Sequence, residues 1–217
     1  MVEGPLDLFW FTGTPDWEQR VLVTGLIALI PIVGAINLSG WTLVTIDRIR
    51  QGWKELPPAR FDYLERGVAP FLVTFLYGLV AALFIFGIGA AGIFVAVSYR
   101  SLVVLGVLIV AFATLLLIAW WLIALFLWAA ILIGSDRLGL GRALNPATLV
   151  RLARQNLDSS LHAALIVGAG SLAIGLIGLV ISFIVPFGSL VVSIALPGLY
   201  VMAVPRLAVF EVDRRGQ

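Results

Sequence analysis

Four stretches of the chain carry no Asp, Glu, Lys or Arg: Val21–Ile46, Gly67–Tyr99, Ser101–Ser135 and Ser159–Pro205. They run for 26, 33, 35 and 47 residues. A helix that crosses the hydrocarbon core of a bilayer needs about 20 apolar residues. The first run is long enough for one crossing. The second and third hold one each, with an excess that must tilt, kink or lie along the interface. The fourth holds two, broken at Val185-Pro186-Phe187-Gly188, where proline and glycine mark a turn. The pattern predicts an all-α, polytopic transmembrane helix bundle with crossings at 21–46, 67–89, 103–133, 160–184 and 187–210.

The polar segments between the runs set the threading. Asp47–Arg66 carries Arg48, Arg50, Lys54, Arg60 and Arg66; Asp136–Asp158 carries Arg137, Arg142, Arg151 and Arg154; the tail carries Arg214 and Arg215. The link between the second and third runs carries only Arg100. Basic loops stay in the cytoplasm. All three basic segments share one side only if an even number of helices separates each pair. Two helices in Gly67–Ser135 satisfy this, and three break it. Five crossings put the N-terminus outside and the C-terminus in the cytoplasm.

The first run is the exception to simple reading. Ile30-Pro31 and then Gly34, Asn37, Ser39 and Gly40 crowd its middle. Proline removes a helical donor and clashes with the preceding turn. An interruption is expected between Ile30 and Gly40. The run is either one kinked helix or two half-helices that re-enter on one side, and re-entry moves the N-terminus to the cytoplasm.

Residues 1–20 lack the basic start of a signal peptide. Phe9, Trp10, Phe11 and Trp17 read as an interfacial anchor, as do Trp53, Phe61 and Tyr63 later. Leu56-Pro57-Pro58 stops one element. Asn145-Pro146 is a helix N-cap followed by proline at the first helical position. Leu149, Val150, Leu152 and Ala153 then alternate with Arg151 and Arg154, which predicts a short amphipathic helix on the bilayer surface. Asp158-Ser159 is placed to cap the fourth crossing.

Composition agrees. Of 217 residues, 61% are hydrophobic and 12% charged, against about 45–50% and 25% in soluble domains. The chain reads as a single integral domain over 1–217, with an interfacial segment at 1–20 and a cytoplasmic tail at 211–217, in the cell membrane. Thirteen of its 14 basic residues are arginine, but they form no basic stripe, so nucleic acid is not an expected partner. With no cysteine and one histidine, no metal or cofactor is expected.

Chemistry is sparse. The His-Glu-x-x-His, Gly-x-Ser-x-Gly and P-loop patterns are absent. His162, at the start of the fourth crossing, suits a headgroup or capping contact better than a general base. No acid lies inside a run, as a proton pathway would require. Arg206, near the end of the last run, can snorkel. Asn37 is the single carboxamide in any run. Pro31, Asn37, Ser39 and Gly40 form the candidate polar site, because broken helices expose backbone dipoles that transporters use. In the fourth crossing Ala164, Gly168, Ser171, Gly175, Gly178 and Ser182 share one helix face. Small residues allow close helix packing in lipid, so this seam is expected against another helix, within the chain or in a partner. The third crossing instead carries bulky Trp120, Trp121, Phe126 and Trp128.

Several short features occur in a familiar order: Pro15-Asp16-Trp17, Ile30-Pro31-Ile32-Val33-Gly34, Gly40-Trp41, Leu56-Pro57, Gly67, then an Arg-rich helix before a helical hairpin. From Pro15 to Glu211 this resembles a prokaryotic family of multi-span membrane proteins, domain of unknown function 4013. At Leu56-Pro57-Pro58-Ala59 the sequence departs from its relatives, which place an acidic or aromatic residue after the Leu-Pro. The resemblance implies architecture and supplies no catalytic residues. The expected role is a non-enzymatic accessory or scaffolding subunit, with membrane lipids and other membrane proteins as partners. The alternative is a transport or lipid-handling component using the broken first run.

Overall fold

The computed structural model describes residues 11–53, 55–155, 157–184 and 194–203. Among the described residues there are eight α-helices and no strand: α1 Trp17–Ala28, α2 Val33–Arg50, α3 Leu64–Ser98, α4 Val103–Leu138, the single turn α5 Leu140–Ala143, α6 Pro146–Gln155, α7 Leu157–Ile184 and α8 Ile194–Ala203. A 3-10 turn, Arg100–Leu102, joins α3 to α4.

The two longest apolar runs form α3 and α4, of 35 and 36 residues. At 1.5 Å per residue each is about 50 Å long, well beyond the ~30 Å of a bilayer core. Both are long and apolar enough to cross a membrane, and only 11% of the most apolar stretch of each is buried. A buried core helix of a soluble protein would show the reverse. Phe84, Val97 and Val104 are 71%, 80% and 72% exposed. The two helices are antiparallel: Gly106 lies against Gly92 and Ala96 at one end, and Ile131 packs with Val73 at the other.

The first run does not form a single helix. α1 stops at Ala28 and α2 starts at Val33. Pro31 has no N–H to continue a helix. Ile32 then takes φ 62°, ψ −65°, and the Val33 N–H donates to the Pro31 carbonyl at 2.6 Å. This is a γ-turn of the rare, strained kind. The helices fold back on each other, with Ile27 against Gly34 beside the turn and Val21 in one cluster with Trp41 at the far end. The hairpin is closed at its base. The Leu56 N–H donates to Thr14 Oγ1 at 3.5 Å, and the Arg20 guanidinium donates to the Leu56 carbonyl at 2.5 Å. Chain segments on either side of the run therefore meet. Residues 21–46 therefore form two helices folded back on each other rather than one kinked helix.

The interruption is also shorter than expected. It occupies Leu29–Ile32, while Gly34, Asn37, Ser39 and Gly40 lie in an unbroken α2. Gly34, Asn37 and Gly40 recur every third residue and are all buried, so they line a packing face.

The main core cluster joins Phe11, Val21, Trp41, Leu56 and Met202, with Trp17, Tyr63 and Leu199 against it. Phe11, expected at the interface, is fully buried; its ring lies 5.9 Å from that of Trp17. Phe9 and Trp10 lie outside the described residues. α8 crosses α1 closely, with Gly25 at Ile194 and Gly198 at Val21.

A second cluster, Val73, Ile131, Ala143 and Leu149, fixes α5 and α6 on α3 and α4. The expected cap is present: the Ala147 N–H donates to Asn145 Oδ1 at 3.0 Å, and Pro146 opens α6. Leu149 and Ala153 are buried within the chain rather than laid on lipid, because α3 and α4 present their own apolar side chains there. Asp158 lies in the first turn of α7. α7 covers the fourth expected crossing. Of 187–210 only 194–203 is described; the Val185–Gly188 break, Arg206 and the tail from 211 lie outside.

Candidate functional site

Asn37 is fully buried. Its Nδ2 donates to the Arg60 carbonyl at 2.8 Å, and its Oδ1 accepts from the Tyr63 N–H at 3.2 Å. The side chain thus bridges two backbone groups of the segment before α3, and its carboxamide is committed within the chain. The Ser39 hydroxyl donates to Ala35 O at 2.8 Å. Thr42 and Thr45 donate to Leu38 O and Trp41 O, each at 2.8 Å. Pro31 sits exposed at the turn, and its carbonyl is taken by Val33. Gly40 lies directly under the Tyr63 carbonyl, and Gly67 under the Ile36 carbonyl. The four candidate residues are not brought together around an open space. They are the parts that let α2, the 56–63 segment and α3 approach closely.

Two further contacts reinforce this joint. Trp41 Nε1 donates to the Pro57 carbonyl at 3.4 Å, and the Tyr63 hydroxyl donates to Pro58 O at 2.8 Å. Burial pushes the Tyr63 phenol above its ordinary pKa, with Arg48 pulling the other way.

A charged node escaped the sequence reading. Arg66, in the first turn of α3, faces Asp136 near the end of α4 with its fork: Nε to Oδ1 at 2.9 Å and Nη2 to Oδ2 at 2.8 Å. The same Nη2 reaches Asp47 Oδ2 of α2 at 2.6 Å. Arg50 stands 3.8 Å from Asp47. Such two-point pairing fixes geometry as well as charge. It ties three helices at one end of the molecule. The available signal was position: Asp47, Arg66 and Asp136 each stand at the border of a charge-free run.

The small-residue seam of α7 is used in part. Ala164 is half-buried. A side chain at Gly168 would meet Leu125 and Trp121 of α4. The Ser171 hydroxyl donates to Val167 O at 2.8 Å, and the Tyr200 hydroxyl of α8 lies 3.2 Å from both groups. Gly175 is exposed, with nothing within 4 Å of an added Cβ. Gly178, Ser182 and the side chain of His162 lie outside the described parts. Among the described residues no group of three His, Asp or Glu could hold a metal.

A family model described as "Protein of unknown function (DUF4013)" matches residues 23–196. No curated protein and no solved structure matches the chain.

Proposed function

The chain belongs to the DUF4013 family of proteins of unknown function, and we propose that it is an integral membrane subunit without chemistry of its own that packs with other membrane proteins. One observation carries this reading. The polar groups of the broken run close on the chain itself, while α3 and α4 turn large apolar side chains outward along their length. Contiguous apolar surface of that extent is an embedding or docking surface. The rival reading, transport or lipid handling through the broken run, needs open polar groups at Asn37 and Ser39, and both are engaged.

In this proposal α3, α4, α7 and α8 cross the membrane. The α1–α2 hairpin enters and leaves on the side of the basic segments, so both termini face the cytoplasm. The half-helices are about 18 and 27 Å long, short of a full bilayer core.

Two experiments test it. A single cysteine replacing exposed Gly13 should be protected from an impermeant thiol reagent in intact cells, as should one at Gln51. One at Ser98 should react. Labelling at Gly13 with protection at Gln51 would restore a single crossing and reject the hairpin topology. For the role, gentle extraction into lipid nanodiscs should bring a membrane protein in fixed stoichiometry. A lone chain that moves solute in proteoliposomes would overturn the scaffolding role.

A further inference from the structure

The polar connection from α4 to α7 is a rigid, one-sided cationic surface. Leu149 and Ala153 are buried on one side of α6, and the Tyr77 hydroxyl donates to the Leu144 carbonyl at 2.9 Å, pinning the start of the helix to α3. Arg151 and Arg154 lie on the opposite side, three positions apart, and both are exposed. Arg137 in the last turn of α4 and Arg142 in α5 are exposed as well. Residues 137–155 contain these four arginines and no acid.

Other arginines of this end are engaged elsewhere. Arg66 takes Asp47 and Asp136, Arg20 takes Leu56 O, and Arg48 lies 5.8 Å from the centre of the Trp53 ring. Among the described residues none of the four connection arginines is in an ion pair. The nearest acid before them, Asp136, is taken by the Arg66 fork.

We propose that Arg137, Arg142, Arg151 and Arg154 bind the phosphate headgroups of anionic phospholipids. This rests on the membrane reading above. The connection begins where the apolar run of α4 stops, at Ser135, and ends where that of α7 starts, so its side chains fall at headgroup depth. Guanidinium forks match phosphate oxygens two at a time. The packing under α6 fixes the backbone that carries two of them before lipid arrives, so no backbone ordering is needed on binding.

The test uses the full chain in nanodiscs of phosphatidylcholine and phosphatidylglycerol, with retained lipid counted by native mass spectrometry. Each arginine near an anionic surface is worth about a fivefold preference. Wild type should retain phosphatidylglycerol over phosphatidylcholine, and Arg151→Gln with Arg154→Gln should lower the preference by about 25-fold. Arg151→Lys with Arg154→Lys, which keeps charge but loses the fork, should fall between. Arg100→Gln, a lone arginine at the far end of the α3–α4 hairpin, should lower it by no more than the fivefold of a single charge. Arg154 also complements the C-terminus of α6, so thermal stability is read in pure phosphatidylcholine, where the double Gln variant should lose no more than about 4 °C. Equal retention of both lipids by wild type, or an equal loss in Arg100→Gln, overturns the proposal. A chain that alkaline carbonate strips from membranes fails the membrane reading itself, a separate outcome.

Discussion

Replacing Asn37 by alanine separates a structural joint from a ligand site. The side chain is fully buried, and its two hydrogen bonds serve the Arg60 carbonyl and the Tyr63 N–H. Each bond is worth about 1 kcal/mol net, and a buried group left unpaired costs about 1–3 kcal/mol. The Tyr63 N–H precedes α3 and gains no replacement from alanine. The sum is about 3 kcal/mol, which for a chain of this size lowers Tm by roughly 6–12 °C. Asn37→Asp keeps the acceptor for Tyr63 but turns a carboxylate toward the Arg60 carbonyl oxygen. It should be no better than alanine, because an unpaired buried charge is costly. The assay is thermal unfolding in a fixed nanodisc composition, with limited proteolysis after Arg60 reporting release of the 56–63 segment. A variant that keeps the wild-type Tm and proteolysis pattern, while losing a measured flux, would refute the joint and return Asn37 to the role of a ligand.

Three other outcomes follow from the same geometry. Gly67→Ala places a methyl against the Ile36 carbonyl and should abolish correctly folded yield, whereas Gly175→Leu meets open space and should leave yield and monomer stability unchanged; fluorescence-detected gel filtration reads both. Arg66→Gln should cost about 1–2 kcal/mol, a figure reduced because the three side chains are about a third exposed, and adding Asp136→Asn should recover part of the lost Tm by removing one of the two carboxylates left facing each other. Ile32→Gly should raise Tm, since the side chain is 61% exposed and a positive φ costs glycine nothing; the relief is on the order of 1 kcal/mol, and a fall in Tm would show that the turn is not strained.

Much of this architecture is legible from charge and apolar spacing. Both borders of α3 and α4, and the start of α7, follow the charge-free runs within a few residues, because a single Asp or Arg ends an apolar helix surface. Pro31 and Asn145-Pro146 act locally and were readable for that reason. The Gly34–Gly40 cluster misled because glycine signals both a break and a close approach. Its three-residue spacing favoured the second, and only the Tyr63 and Ile36 carbonyls decide it. Asn37 looked like an open polar group because its partners lie 23 and 26 positions further on, and no local pattern encodes that pairing. Phe11 was misplaced for the same reason, since Met202 and Leu56 cover it from distant parts of the chain.

The cluster around Trp41 also bears on how the protein is made. A ribosome delivers Phe11, Val21 and Trp41 before Leu56, and Met202 long after it. The hairpin can close its base once Leu56 has emerged, yet the face that α8 covers at Val21 and Gly25 stays bare until some 140 further residues are synthesised. During that interval the nascent chain displays an unfinished surface. A chain arrested or cleaved before α8 carries that surface permanently, and uncovered apolar surface of this kind is an aggregation liability.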